Sequence, residues 1–258
     1  MADFRNSNVR VAGGAQAGVA IDEGLRAYML RVYNIMAMGL GITGVAALVV
    51  AMYATTNDPA NAVATLGNGK MLTGLGAVLY GSPLKWVVML APLAMVFFLS
   101  FRIEKMSVSA AQTTFWIYAA MMGVSLSSIF LVFTGSSITQ TFFVTAASFG
   151  ALSLYGYTTK KDLSGMGSFL IMGVFGLIIA MVVNIFLQSS ALEFAISGIG
   201  VLVFAGLTAY DTQQIKEMYY EGDADATAGR KAIIGALRLY LDFINLFMFM
   251  LQFLGNRE

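Results

Sequence analysis

Two aspartates in otherwise apolar helical segments are the residues of this chain best placed to do chemistry. Asp211 lies in the segment LTAYDTQQ, and Asp242 lies in the segment LRLYLDFINLF. A carboxylate inside a hydrocarbon layer costs roughly 3 kcal/mol or more, so it is normally paired or functional. We predict that the two aspartates meet in the cytoplasmic half of a helical bundle and form its functional site.

Three further polar residues belong with this pair. Helical spacing puts Arg238 and Asn245 on the same face as Asp242. Arg102 is the other cation that would reach this half of the membrane. Two aspartates and two arginines form a nearly neutral cluster. Such a cluster fits either a functional site or a purely structural one, in which Asp242 pairs with Arg238 on one helix and only holds helices together.

The composition removes most other chemistry. The 258 residues contain no cysteine and no histidine, which excludes disulfides, thiolate nucleophiles, His-based triads and imidazole metal sites. Any proton sensing must therefore come from carboxylates, and two close carboxylates titrate as a unit. The net charge of +1 offers no basic surface for nucleic acid. We expect no nucleic-acid partner and no cofactor.

The chain that carries these residues has the composition of an integral membrane protein. It is 58% hydrophobic and 11% charged, whereas soluble domains carry about 25% charged residues. Apolar stretches close to the roughly 20 residues that a helix needs to cross a bilayer recur along the whole chain. We predict an all-α bundle of seven transmembrane helices, at residues 32–53, 85–101, 110–133, 138–157, 167–187, 192–216 and 233–254.

The positions of lysine and arginine predict the orientation. Cytoplasmic segments would hold eleven of these residues and the opposite side three, a positive-inside bias that puts the N-terminus in the cytoplasm and the C-terminus outside. The eleven are Arg5, Arg10, Arg26, Arg31, Arg102, Lys105, Lys160, Lys161, Lys216, Arg230 and Lys231, and the three are Lys70, Lys85 and Arg257. Residues 1–24 are polar and rich in small residues. We predict a mobile cytoplasmic tail over 1–24 and a single seven-helix membrane domain over 25–258.

A glycine motif in the first span would point to a nucleotide site in another context. Gly39, Gly41 and Gly44 match G-x-G-x-x-G letter for letter. That dinucleotide fingerprint requires a preceding strand and a βαβ unit. Inside an apolar helix, small residues instead let neighbouring helices approach closely, so we interpret the motif as helix packing.

Two segments of the chain resemble the closing motifs of a known family. Residues 209–213 (AYDTQ) and 239–247 (LYLDFINLF) are similar to motifs of the Bax inhibitor-1 family, also called transmembrane BAX inhibitor motif proteins. The seven-helix layout, the position of Arg102 and the loop KKDL at 160–163 agree with it, and the resemblance extends over residues 25–256. The small-residue tail resembles a bacterial branch of the family, which implies a multi-pass protein of the bacterial inner membrane.

This resemblance implies a bundle in which helix seven is central, enclosed by the other six. It also implies a pH-sensitive calcium leak, with Asp211 and Asp242 as the sensor and ion pathway and Arg102 on helix two as a latch. The two aspartates would bind calcium weakly and transiently as a permeant ion, because Ca²⁺ prefers six to eight oxygen ligands. Arg238 departs from the family motif, and its charge would oppose a cation site. Arg238 and Asn245 are therefore expected as modulators.

Two other functions remain open. Intramembrane aspartyl proteases also place one aspartate on each of two neighbouring helices, the first in a Tyr-Asp pair like Tyr210-Asp211. Their second aspartate follows Gly-x-Gly, whereas Asp242 follows the run LYL, so an enzyme is not expected. The other alternative is a non-conducting regulator that docks on a membrane protease or a death-pathway partner.

Overall fold

Seven long helices make up most of the protein. The computed structural model describes the backbone of residues 4–257 and the side chains of residues 23–257. Within this part of the chain, seven helices are long and apolar enough to cross a membrane. They are α1 (Phe4–Ala54), α2 (Leu84–Arg102), α3 (Val108–Leu126), α4 (Gly135–Thr158), α5 (Ser164–Leu187), α6 (Ser190–Glu217) and α7 (Asp225–Leu254). The predicted all-α membrane protein with seven spans is confirmed. The predicted tail over 1–24 lies almost wholly outside the fully described residues and stays a prediction.

Several helices are longer than the predicted spans because polar residues continue them beyond the apolar stretch. α7 begins at Asp225 and not at residue 233, and α5 begins at Ser164 and not at residue 167. Side-chain caps mark other starts: a serine or threonine hydroxyl accepts a hydrogen bond from the first turn of α3, α4 and α6. The third span is interrupted after α3, and a short helix at Ile129–Val132 completes it.

The segment between α1 and α2 contains a small three-stranded sheet. β1 (Thr55–Thr56) and β2 (Ala64–Thr65) both pair antiparallel with β3 (Met71–Leu72). Two short helical turns follow before α2 begins. Each strand has two residues, which is too short for the alternating pattern that predicts a strand.

Helix α7 lies at the centre of the bundle. Its main neighbours are α1, α3, α4 and α6, whereas α2 packs mainly on α3 and α5 mainly on α6. In its most apolar stretch 67% of the residues are buried, against 11% in α5. Five of its large side chains are inaccessible to solvent: Ile233, Leu239, Tyr240, Leu246 and Leu251. The central position expected for helix seven is confirmed, with four close helical neighbours instead of six.

Of the three glycines in the G-x-G-x-x-G run of α1, only Gly39 packs closely against a neighbouring helix. A Cβ on Gly39 would lie 2.8 Å from the Phe115 ring, whereas a Cβ on Gly41 or Gly44 would meet nothing within 4 Å. Between these glycines, the Thr43 hydroxyl donates to the Ala119 carbonyl of α3 at 2.9 Å. The packing interpretation is therefore correct for Gly39 but not for the other two glycines.

Helices α4 and α6 approach each other backbone to backbone at Gly156. A Cβ there would lie 2.1 Å from the Ala209 carbonyl oxygen, which is held in its helix and cannot move aside alone. Gly156→Ala should therefore lower the free energy of unfolding by about 2 kcal/mol, measured by denaturant titration in detergent. Gly150→Ala is the control on the same helix, because a Cβ there meets nothing within 4 Å. Equal losses for both variants would contradict the close approach.

Candidate functional site

The structure brings the two predicted aspartates together between α6 and α7. The carboxyl groups of Asp211 and Asp242 lie close enough to interact directly, and we call this pair the dyad. Asp242 is 4% exposed, and the Asp211 side chain is 18% exposed. Two carboxyl groups can form a hydrogen bond only when one of them donates a proton. A proton shared by the dyad would therefore link the two helices.

Antiparallel packing explains how the aspartates meet although they lie at different depths. The Lys231 ammonium of α7 donates to the Met218 carbonyl at the end of α6, at 3.0 Å, which places these residues at one level. Along the helices Asp211 lies roughly 10 Å from that level and Asp242 roughly 16 Å. Cα–Cβ bonds tilt toward the N-terminus of their helix. In antiparallel helices the two side chains therefore lean toward each other and close the gap of about one turn.

Arg238 is the cation next to the dyad. Its Nη1 lies 4.0 Å from Oδ1 of Asp211, and its side chain is 47% exposed. The structural alternative paired Arg238 with Asp242 on the same helix. The observed ion pair instead crosses from α7 to α6, because the Asp242 carboxyl is turned into the core and the long arginine side chain reaches outward to Asp211. At this distance and exposure the attraction is modest.

A cavity of about 550 Å³ lies beside the dyad, between α5, α6 and α7. Asp211, Arg238 and Asn245 are its strongly polar lining residues, and the rest of the wall is mostly apolar. The Asn245 amide donates to the Leu241 carbonyl of its own helix at 2.8 Å. Asn245 therefore shares the cavity with the dyad but is held by α7 and forms no hydrogen bond with either aspartate.

Arg102, the predicted latch, does not reach the dyad in this structure. It is exposed at the end of α2, and among the side chains described here it forms no hydrogen bond or ion pair. The next residue, Ile103, is 2% exposed, and the turn Ile103–Lys105 packs on α7. The chain thus presents an isoleucine and not the guanidinium to the central helix. The latch role of Arg102 stays a hypothesis that requires the end of α2 to move.

A match to a family model identifies the family to which this chain belongs. The family model described as "Inhibitor of apoptosis-promoting Bax1" matches residues 25–258. The chain belongs to the Bax inhibitor-1 family.

Relatives of this Bax inhibitor-1 family member include several bacterial proteins. Inner membrane protein YbhL of Escherichia coli (strain K12) is 46% identical over 237 residues, which cover 91% of this chain and 94% of YbhL. An uncharacterized protein of Caulobacter vibrioides is 46% identical over 261 residues, covering 100% of both chains. Uncharacterized protein RP147 of Rickettsia prowazekii is 48% identical over 237 residues, covering 92% of each. These similarities extend over nearly the whole chain.

Gln213 is a structural residue of this Bax inhibitor-1 protein that the sequence analysis missed. It is 3% exposed, and its side-chain amide both donates to and accepts from the backbone of the loop between α4 and α5. Its Nε2 donates to the Lys161 carbonyl at 2.8 Å, and its Oε1 accepts from the Leu163 amide at 2.8 Å. Because Gln213 lies two residues after Asp211, this clamp fixes the end of α6 that carries the first aspartate. The signal in the sequence was the polar run TQQ at the end of an apolar helix.

A chain of hydroxyl groups also joins α6 to the outer helices of this family member. The Tyr33 hydroxyl is hydrogen-bonded to Ser153 Oγ at 2.7 Å, and Ser153 Oγ is hydrogen-bonded to Thr212 Oγ1 at 2.9 Å. On α7, the Tyr240 hydroxyl is bonded to Thr43 Oγ1 at 2.6 Å. These bonds satisfy buried polar groups where no water competes. They hold Thr212, which follows Asp211, against α4 and hold Tyr240, two residues before Asp242, against α1.

The site offers few ligands for a metal ion. Among residues 23–257 there is no group of three or more acidic side chains that could hold a metal ion. The dyad provides two carboxyl groups, and Arg238 adds a positive charge beside them. Because Ca²⁺ prefers six to eight oxygen ligands, these groups alone would hold it only briefly.

Proposed function

We propose that this Bax inhibitor-1 family member is a cation leak for calcium, with the Asp211–Asp242 dyad as its proton-operated gate. The observation that carries the proposal is the close pair of carboxyl groups, with Arg238 beside it, between two membrane-spanning helices. Intramembrane ionisable pairs of this kind are expensive to bury and commonly mark proton or ion pathways. Since the relative YbhL is an inner membrane protein, we place this protein in the bacterial inner membrane as well.

The sign of the pH response follows from the charges around the dyad. With one shared proton the dyad carries one negative charge, which the Arg238 guanidinium at 4.0 Å balances. A second proton removes that charge and leaves Arg238 without its partner. The ion pair that joins α6 and α7 beside the dyad is then lost, so acid favours opening and alkaline pH favours closure. Arg102 acting as a latch would give the same sign, because it too needs an ionised aspartate.

Calcium entry into proteoliposomes tests this proposal directly. The wild-type protein should admit calcium faster at pH 6 than at pH 8, and liposomes without protein should admit none at either pH. A calcium ionophore added at the end shows that the vesicles are sealed and the dye responds. If the protein causes no calcium entry between pH 6 and pH 8, the proposed leak is wrong and the non-conducting regulator is favoured.

An intramembrane aspartyl protease is the second candidate, because aspartic proteases also share one proton between two carboxyl groups. Two observations count against it. Arg238 lies 4.0 Å from one carboxyl group. Oδ2 of Asp242 is buried without a hydrogen-bond partner among the protein groups. In a protease, by contrast, both carboxyl groups must contact the same water molecule. Cleavage of a transmembrane reporter peptide that either single Asp→Asn substitution abolishes would favour the protease.

The proposed orientation places the N-terminus in the cytoplasm and the C-terminus outside. The eleven-to-three distribution of lysine and arginine supports it. A reporter that is active only outside the cytoplasm, fused after Glu258, should therefore be active. The same reporter in the loop at 160–163 should be silent, and the reverse pattern would overturn the orientation.

A further inference from the structure

A groove on the other side of the bundle, between α1 and α4, has no role in the proposed gate. Its volume is about 530 Å³, and one face of each helix lines it. The lining residues that matter here are Arg26, Leu30 and Tyr33 from α1 and Gly150, Leu154 and Tyr157 from α4.

The groove has a positively charged mouth and an apolar interior. Arg26 is exposed and lies near the end of the membrane-spanning part of α1, which begins at Glu23. At the same end, the Lys216 ammonium donates to the Tyr157 carbonyl at 2.9 Å and lies over the Tyr157 ring, 5.8 Å from its centroid. Among residues 23–257, no acidic side chain lines the groove. This end is therefore complementary to an anion at the level of the lipid headgroups.

The interior of the groove has the length and openness for a hydrocarbon chain. From Tyr157 to Phe149 the groove follows α4 for roughly 12 Å. Leu30 is 51% exposed and Leu154 is 63% exposed, so the walls are accessible from the side, where the bilayer lies. A Cβ on Gly150 would meet nothing within 4 Å, so the missing side chain leaves room at the deep end.

We propose that this groove binds one anionic phospholipid from the leaflet at this end of the helices. The phosphate lies on the Arg26 guanidinium, with Lys216 adding positive charge, and one acyl chain lies along Leu154 and Gly150. Arginine binds phosphate through paired, charge-assisted hydrogen bonds, which gives the site a preference for anionic over zwitterionic headgroups. The proposal does not depend on the calcium leak.

Photoactivatable lipids test the site in the full-length protein. The purified protein is reconstituted with phosphatidylglycerol or phosphatidylethanolamine carrying a diazirine in one acyl chain, and adducts are located by peptide mass spectrometry. Phosphatidylglycerol should label residues that line the groove. Arg26→Gln should lower that labelling about tenfold, the effect of losing one charge-assisted contact. Arg31→Gln removes the same charge from α1 outside the groove and should change nothing.

A second pair of variants tests the acyl-chain part of the site. Gly150→Leu places a side chain in the deep end, where a Cβ meets nothing within 4 Å, and should abolish groove labelling. Gly41→Leu makes the same change at another glycine with nothing within 4 Å and should leave labelling intact. Equal labelling by the two lipids, or Arg26→Gln labelling at the wild-type level, would overturn the proposal. A disulfide-linked dimer formed through Leu154→Cys in the same membranes, in a chain that has no other cysteine, would also overturn it, because a second copy would then occupy the groove.

Discussion

Calcium entry through the Asp211→Asn, Asp242→Asn double variant should be the same at pH 6 and pH 8. Asparagine has nearly the size of aspartate and its amides can hydrogen-bond to each other, so α6 and α7 should stay joined. Neither amide titrates in this range, so the charge next to Arg238 no longer changes with pH. The measurement is calcium entry into proteoliposomes across pH 6 to 8, as a ratio to the rate at pH 8.

Asp223→Asn is the matched control for this loss of response. Asp223 precedes α7 and pairs with Lys231, so it is an acidic residue of the same connection but lies outside the dyad. This variant should keep the wild-type pH response. A double variant that still responds to pH would show that the sensor lies elsewhere, even if the protein conducts calcium.

Arg238→Leu should raise calcium entry at pH 7 by on the order of tenfold, the change expected when about 1.4 kcal/mol of screened repulsion is removed. The guanidinium lies 4.0 Å from the carboxylate that a passing cation would meet, and it repels a divalent ion there. Because its side chain is 47% exposed, solvent weakens this repulsion well below its value in a dry interior. Arg238→Lys keeps the charge and should remain close to wild type.

The same experiment separates the functional cluster from a structural one. If the cluster only holds helices together, Arg238→Leu should lower the melting temperature without producing calcium entry.

Arg102→Ala tests the latch hypothesis in the same calcium-entry assay. A variant that stays folded and leaks at every pH would support Arg102 as the latch. An unchanged pH response would leave Arg238 as the counter-ion that matters.

The number of spans could be predicted from the sequence, but their arrangement could not. A run of about 20 apolar residues is a local property and is visible in the chain. Burial is not local: α5 is the most apolar span and also the least buried, while the less apolar α7 is the most buried. In lipid, an apolar surface does not distinguish a neighbouring helix from the bilayer. Helix order in space depends on contacts such as Gly156 against Ala209, which no periodicity predicts.

The same limit applies to the site. Asp211 and Asp242 could be found because a carboxylate in an apolar helix is conspicuous. Helical spacing relates residues of one helix only, so it placed Arg238 beside Asp242, whereas the structure pairs it with Asp211 across the interface. Gln213 was missed for a similar reason. Its partners are backbone groups of another loop, and no side-chain pattern reports them.

The central position of α7 has a consequence for biogenesis. The helix that the core is built around is the last of the seven to leave the ribosome, and chains acquire structure from the N-terminal side during synthesis. Until it inserts, α1, α3, α4 and α6 must face lipid or one another with the surfaces that later cover α7. The first six helices therefore lack the helix that they pack around until α7 inserts. The dyad forms only at this final insertion step, because Asp242 lies on α7.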